Sequence, residues 1–119
     1  MASPLTAEAT RARDSSVVIV LTTLPAGADA AAFARTLVEE RLAACVSVGA
    51  EMQSVYRWKD AIEQDPERQV VVKTVREMVG LLKTRMATLH PYEVPEFLVI
   101  PADEGGDAYI EWVRQSTGA

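Results

Sequence analysis

The chain has 119 residues, 49% of them hydrophobic and 24% charged, with a net charge of −5, which suits one folded domain better than an unstructured chain. A pI near 4.8, with lysines and arginines scattered singly among acids, excludes the clustered basic face that a phosphate-backbone partner needs, so no nucleic-acid partner is expected. A single cysteine excludes an internal disulfide and cysteine-cluster metal sites, and no apolar run approaches the ~18 residues of a membrane span.

Residues 1–16, MASPLTAEATRARDSS, are polar, aperiodic and without the hydrophobic core of a secretory signal. They are expected to be a loose tail of a cytoplasmic chain, with residues 17–119 as its single domain. VVIVLTT (17–23) is a β-branched run that predicts a buried strand. Asp29 then caps a helix whose apolar stripe is Ala30, Phe33, Ala34, Leu37, Val38 and Leu42. Cys45–Val48 predicts a second strand, interrupted at Gly49-Ala50. It resumes with Met52, Ser54, Tyr56 and Trp58 alternating onto one face. KDAIEQDPE reads as a polar turn leading to a strand over 69–74, so the pair makes a long antiparallel hairpin in which Gly49 marks a bulge or bend.

The spacing T-V-R-E from Thr74 to Glu77 predicts a capping box opening a helix with a stripe of Val75, Met78, Val79, Leu82, Met86 and Leu89. His90-Pro91 ends it, because the residue before proline leaves the α region. EFLVIPA is a fourth strand, and Gly105-Gly106 followed by Asp107 opens a short closing helix carrying Tyr109, Ile110, Trp112 and Val113. The order β-α-β-β-α-β plus a terminal helix predicts an α+β fold of the ferredoxin-like sandwich type, with two helices on one face of an antiparallel sheet. The other face would then expose valines and leucines. A soluble protein rarely leaves a large patch of that kind open, so a homo-oligomer is expected.

His90, the only histidine, either supports the helix end or binds a metal, for which Glu93 and Glu96 are the neighbouring oxygen ligands. Cys45, among small apolar residues, reads as a small buried hydrophobe. No acid–base or nucleophile set is recognisable, the chain lacks asparagine to orient an imidazole, and no glycine-rich phosphate cradle comes after a strand. The chain therefore reads as non-enzymatic and in need of no cofactor. Met52, Tyr56 and Trp58 suit an interface or a cleft. Lys73, charged within VVVKT, either snorkels or pairs with a carboxylate such as Glu67 at a subunit boundary.

Taken in order, LTTLP, ERLAACVSV, SVYRW, a strand ending in KT, HPYEVPE and Y-I-x-W resemble the CutA family of divalent-cation tolerance proteins over residues 17–116. The resemblance implies a ferredoxin-like protomer, a trimer built through the long hairpin, and architectural kinship with PII signalling proteins. It also implies a response to divalent metal, copper above all. The cysteine and histidine pair of copper-binding members fall here on Thr22 and on Leu89-His90, so only His90 is kept and at most weak copper binding is implied. In the family reading His90, Tyr92 and Glu96 meet a neighbour's Trp58 and Lys73 at a subunit cleft. The alternative is a PII-like sensor that binds a small anionic ligand there, through Lys73 and Arg57.

Overall fold

The computed structural model describes residues 17–118, so the expected tail at 1–16 lies outside the described residues. Strand β1 (Val17–Pro25) leads to helix α1 (Ala30–Glu39), then β2 (Cys45–Trp58) and β3 (Ala61–Val75). A single 3-10 turn (Arg76–Met78), helix α2 (Val79–Leu89), β4 (Leu98–Pro101) and α3 (Asp107–Gln115) complete the chain. The four strands form one antiparallel sheet in the order β2-β3-β1-β4.

Side chains alternate across a strand, and the two faces of this sheet meet different fates. Val18, Val20 and Leu24 of β1 and Val70 and Val72 of β3 bury against Phe33 and Leu37 of α1 and Leu82 and Met86 of α2. Ile19, Leu21, Val71 and Lys73 project the other way. There β4 sets Ile100 beside Ile19 and Leu98 beside Leu21. Helix α3 packs Ile110 and Val113 on the Val17–Val75 end of this second face. The remainder is open, with Leu98 56% and Ile100 44% exposed.

Local chemistry sets the helix ends. The Asp29 carboxylate accepts the Ala32 amide at 3.0 Å, the cap expected from sequence, a bond worth about 1 kcal/mol. Helix α1 stops at Glu39, short of Leu42, because Arg41 turns left-handed (φ 61). Its guanidinium then donates to the Gln115 and Gly118 carbonyls at 2.6 and 2.7 Å, tying the end of α3 to the end of α1. The capping box expected at Thr74 does not form. Thr74 is fully buried and its hydroxyl donates to the Leu42 carbonyl at 2.7 Å, so a tertiary bond takes the oxygen that would have capped the helix.

The hairpin also departs from expectation. Its turn is only Lys59 and Asp60, and β3 begins at Ala61, so most of KDAIEQDPE is strand. Pro66 is accommodated because its carbonyl, and therefore its missing N–H, points away from β2. That carbonyl accepts the Ala26 amide at 3.0 Å, just past the end of β1. Both turn residues have positive φ, 48° at Lys59 and 67° at Asp60, the pattern of a type I′ turn that favours glycine at its second position. Asp60→Gly is expected to stabilise the protein by about 0.5–1 kcal/mol, read as a raised midpoint in urea unfolding.

At Gly49-Ala50, β2 carries one residue more than its partner, and the register shifts between Val48 and Glu51. A Cβ on Gly49 would lie 3.2 Å from the Gln69 carbonyl oxygen, so at the bulge the two backbones come close enough that a side chain would push them apart by a few tenths of an ångström. Before the bulge, Cys45 and Ser47 share the open face with Lys73 and Val71. After it, Met52, Ser54, Tyr56 and Trp58 stand on that same face, opposite Glu67, Asp65, Glu63 and Ala61.

Candidate functional site

The joint between α2 and β4 is held by its histidine. His90 is 8% exposed, with Nε2 2.7 Å from the Thr23 carbonyl and 3.4 Å from Thr22 Oγ1. Its Nδ1 accepts the Tyr92 amide at 3.2 Å. A carbonyl only accepts, so Nε2 carries the hydrogen and Nδ1 offers the lone pair. The ring also lies edge-on to Phe33, centroids 6.2 Å apart, and 5.0 Å from the Tyr92 ring. Both nitrogens are thus committed, and an ion at Nδ1 would have to displace the Tyr92 amide. Thr22 and His90 do come together as the resemblance implied, whereas Leu89 packs half-buried against the core. Among the described residues no group of three or more His, Cys, Asp or Glu side chains is placed to hold a metal ion. The residues at this corner do not fit a resident metal.

With the His90 ring held, Tyr92 is placed as well. The Tyr92 hydroxyl donates to Glu67 at 2.5 Å, and Glu67 is 7% exposed. Burial, and then the bond to the Glu67 carboxylate and its negative charge, hold the Tyr92 hydroxyl well above the ordinary tyrosine range. Across the hairpin the Tyr56 hydroxyl donates to Asp65. That bond first, with desolvation and the acidic neighbours adding to it, pushes Tyr56 up to about 12. Gln69 joins the two sides, its amide donating to the Thr22 carbonyl at 2.7 Å and to Glu96 at 3.0 Å.

These bonds set an alkaline dependence. Both hydroxyls keep their protons in the folded chain at pH values where an unfolded tyrosine, near pH ~10, has begun to lose its own. The stabilisation is therefore fully present below about pH 10 and falls as pH rises through the raised folded values. Absorbance titration at 295 nm is expected to show delayed ionisation of Tyr56 and Tyr92, and Tyr92→Phe should remove the later part of the delayed change while leaving that of Tyr56.

Between hairpin and corner lies an open cleft of about 740 Å³. Met52, Ser54, Tyr56 and Trp58 line it from β2, Glu67 and Gln69 from β3, Thr23 from β1, and Tyr92, Glu93 and Glu96 from the corner. Trp58, Tyr92, Glu96 and Glu67, expected at a cleft between subunits with Trp58 supplied by a neighbour, line one cleft of a single chain, along with Met52 and Tyr56. Lys73 is not among them: it stands four residues further along β3, between Ile19 and Cys45 on the open face. Within one chain it does not reach Glu67, which accepts from the Tyr92 hydroxyl. Arg57 faces away from the cleft, since alternation sets it beside Ile62 on the opposite side of the hairpin from Tyr56 and Trp58. Cys45 is half-buried on the open face rather than sealed in the core. Gln69 was the participant missed in sequence. Its one signal was an amide opening an otherwise β-branched strand.

The family model described as CutA1 divalent ion tolerance protein matches residues 18–116. The chain is 43% identical over 100 residues to the divalent-cation tolerance protein CutA of Thermus thermophilus, covering 84% of this chain and 97% of that one. It is 40% identical over 102 residues to human protein CutA, covering 86% of this chain and 57% of the human one, so it spans little more than half of that longer relative. Among solved structures, the Thermus thermophilus protein superposes with a TM-score of 0.82 at 42% identity, over 86% of this chain and 99% of that one. CutA from Xylella fastidiosa gives 0.83 at 35% identity, over 87% and 99%. A sheet ordered β2-β3-β1-β4, a histidine-locked corner and an aromatic hairpin face thus belong to a chain that is a member of the CutA1 divalent ion tolerance family.

Proposed function

We propose that the chain acts as a homotrimer of ferredoxin-like protomers in tolerance of divalent metal, copper included, without catalysing a reaction, and that it binds metal weakly at most. The observation that carries this reading is the open sheet face, where Ile19, Leu21, Val71, Leu98 and Ile100 lie side by side with no helix over them. Two helices on one side of a β2-β3-β1-β4 sheet support a ferredoxin-like protomer, and identical copies covering each other's open faces would be its simplest completion. Weak metal binding is expected from His90, whose nitrogens are engaged, and from Thr22, a poor copper ligand where a thiolate would be a good one. Lys73 of a second copy, with no carboxylate partner among the described residues, is the group expected to reach Glu67 and Glu96 at the subunit boundary. The anion-sensor alternative is less favoured, because the cleft lining carries three glutamates and no basic side chain.

Light scattering at low micromolar concentration is expected to give the mass of three chains, and a single-chain mass would end this reading. Calorimetry with copper should show no tight site in the native protein. Thr22→Cys with Leu89→His should bind copper at least ten-fold more tightly. Tight copper binding by the unaltered chain would overturn the weak-binding part alone.

A further inference from the structure

We propose that the outer half of the hairpin, residues 51–66, is ordered only when a second copy of the chain covers it, so that assembly and the folding of this arm are one event; this rests on the homotrimer reading. Over its inner half the hairpin is part of the sheet proper. There β3 lies between β2 and β1, with Val70 and Val72 sealed beneath the helices. That support stops at one place. β1 ends at Pro25 opposite Glu67, and the Pro66 carbonyl accepts one last amide from that side, that of Ala26. Beyond Pro66 each strand of the arm has only the other as its neighbour. An isolated two-stranded hairpin is marginal in water, and needs a third strand or a packed face to hold.

Within its own chain the arm has no packed face. None of residues 51–66 is buried, none belongs to either apolar core, and Val55 and Ile62 on its back are 64% and 62% exposed. Its front, with Met52, Tyr56 and Trp58, stands across the open cleft from the 90–96 corner and does not pack on it. The internal ties are few: the Tyr56–Asp65 bond, a 3.4 Å contact between the Gln53 and Gln64 side chains, and Lys59 Nζ 5.5 Å from the Trp58 ring centroid. Against them, both turn residues hold positive φ without being glycine, and Glu63, Asp65 and Glu67 repeat a negative charge along the front. That front continues the face of Ile19, Leu21 and Val71, so copies that cover the face also supply the layer the arm lacks. The cleft then has two walls of different standing. His90 fixes the corner within the chain, whereas the aromatic wall forms only in the assembly, and whatever acts through the cleft is confined to the assembled protein.

Hydrogen exchange read by mass spectrometry on the full chain tests this, native protein against Ile100→Asp, a change opposite Ile19 and outside the arm. Leu98→Asp is added if the single change leaves the mass unaltered, and protection of residues 70–74 shows that the variant keeps its core. Should the variants lose that core, native protein diluted below its dissociation midpoint takes their place. In dissociated chains the amides of 51–66 are expected to exchange at least ~100-fold faster than those of 70–74, and in the assembly the two sets should be protected alike. Trp58 emission, read with Trp112→Phe in both proteins, should move to longer wavelength on dissociation. An arm as protected as 70–74 in a single chain, variant or native, would overturn the proposal, and so would an unprotected arm in the assembled protein. Failure of the homotrimer reading shows separately, as a single-chain mass of the native protein.

Discussion

Replacing Ile100 with aspartate is expected to convert the assembly into single chains at low micromolar concentration. Ile100 lies opposite Ile19 and beside Leu98 on the sheet face that neither α1 nor α2 covers. In an isolated chain the new carboxylate would sit at a position already 44% exposed, so the core beneath the helices is untouched. In an assembly it would be pressed between apolar surfaces without a partner, at a cost of several kcal/mol per contact. Even ~3 kcal/mol moves a dissociation midpoint more than 100-fold. Sedimentation velocity should then report a slower particle with unchanged helical circular dichroism. An Ile100→Asp protein that keeps the native mass would remove this face from the assembly.

The second large effect is expected at His90. Leucine at this position fills a similar volume but leaves the Thr23 carbonyl and the Tyr92 amide without the partners that the imidazole gives them. Each buried group left unsatisfied costs roughly 1–3 kcal/mol, so His90→Leu should lower unfolding stability by about 2–5 kcal/mol in urea. Glutamine, which both donates and accepts, should recover part of the loss. The harm should spread to the cleft, because Tyr92 is placed by its amide bond to His90 and in turn donates the one hydrogen bond to the Glu67 side chain among the described residues. A loss under ~0.5 kcal/mol would mean that Pro91 and Pro95, whose rings fix the backbone on either side of Tyr92, hold the corner without the imidazole.

Much of this was legible in the residues, and the places where it was not share a cause. Strands β1 and β4, helices α1 and α3 and the uncovered face all arise from local patterns: β-branched runs, an Asp29 cap, a Gly-Gly-Asp helix start. Sequence distance hid the rest. Thr74 has the spacing of a cap, yet Leu42, thirty-two positions away, claims its hydroxyl. Pro66 and the polar run around it resemble a turn, and only the end of β1 beside them makes a strand with a proline acceptable. For the site, alternation alone placed Met52, Tyr56 and Trp58 together, the lone charge of Lys73 pointed to Glu67 as a carboxylate of the site, and the family resemblance supplied His90, Tyr92 and Glu96. What none of these could supply was that Gln69 bridges Thr22 to Glu96, or that Lys73 stands too far along its strand to line the cleft.

The extra residue at Gly49-Ala50 works as a phase setter for the outer half of the hairpin. A β2 of the same length without the bulge would carry its pleat straight through, slip by one residue against β3 beyond Val48 and turn everything past that point by half a pleat. Val55 and Arg57 would then look into the cleft, and Tyr56 and Trp58 would look out over its back. Excising Ala50 removes the slip together with the bulge, because Gly49 would face Gln69 and Glu51 would still face Arg68, so the indole and phenol stay where they are. One surplus residue thus decides which half of the hairpin's side chains the cleft receives.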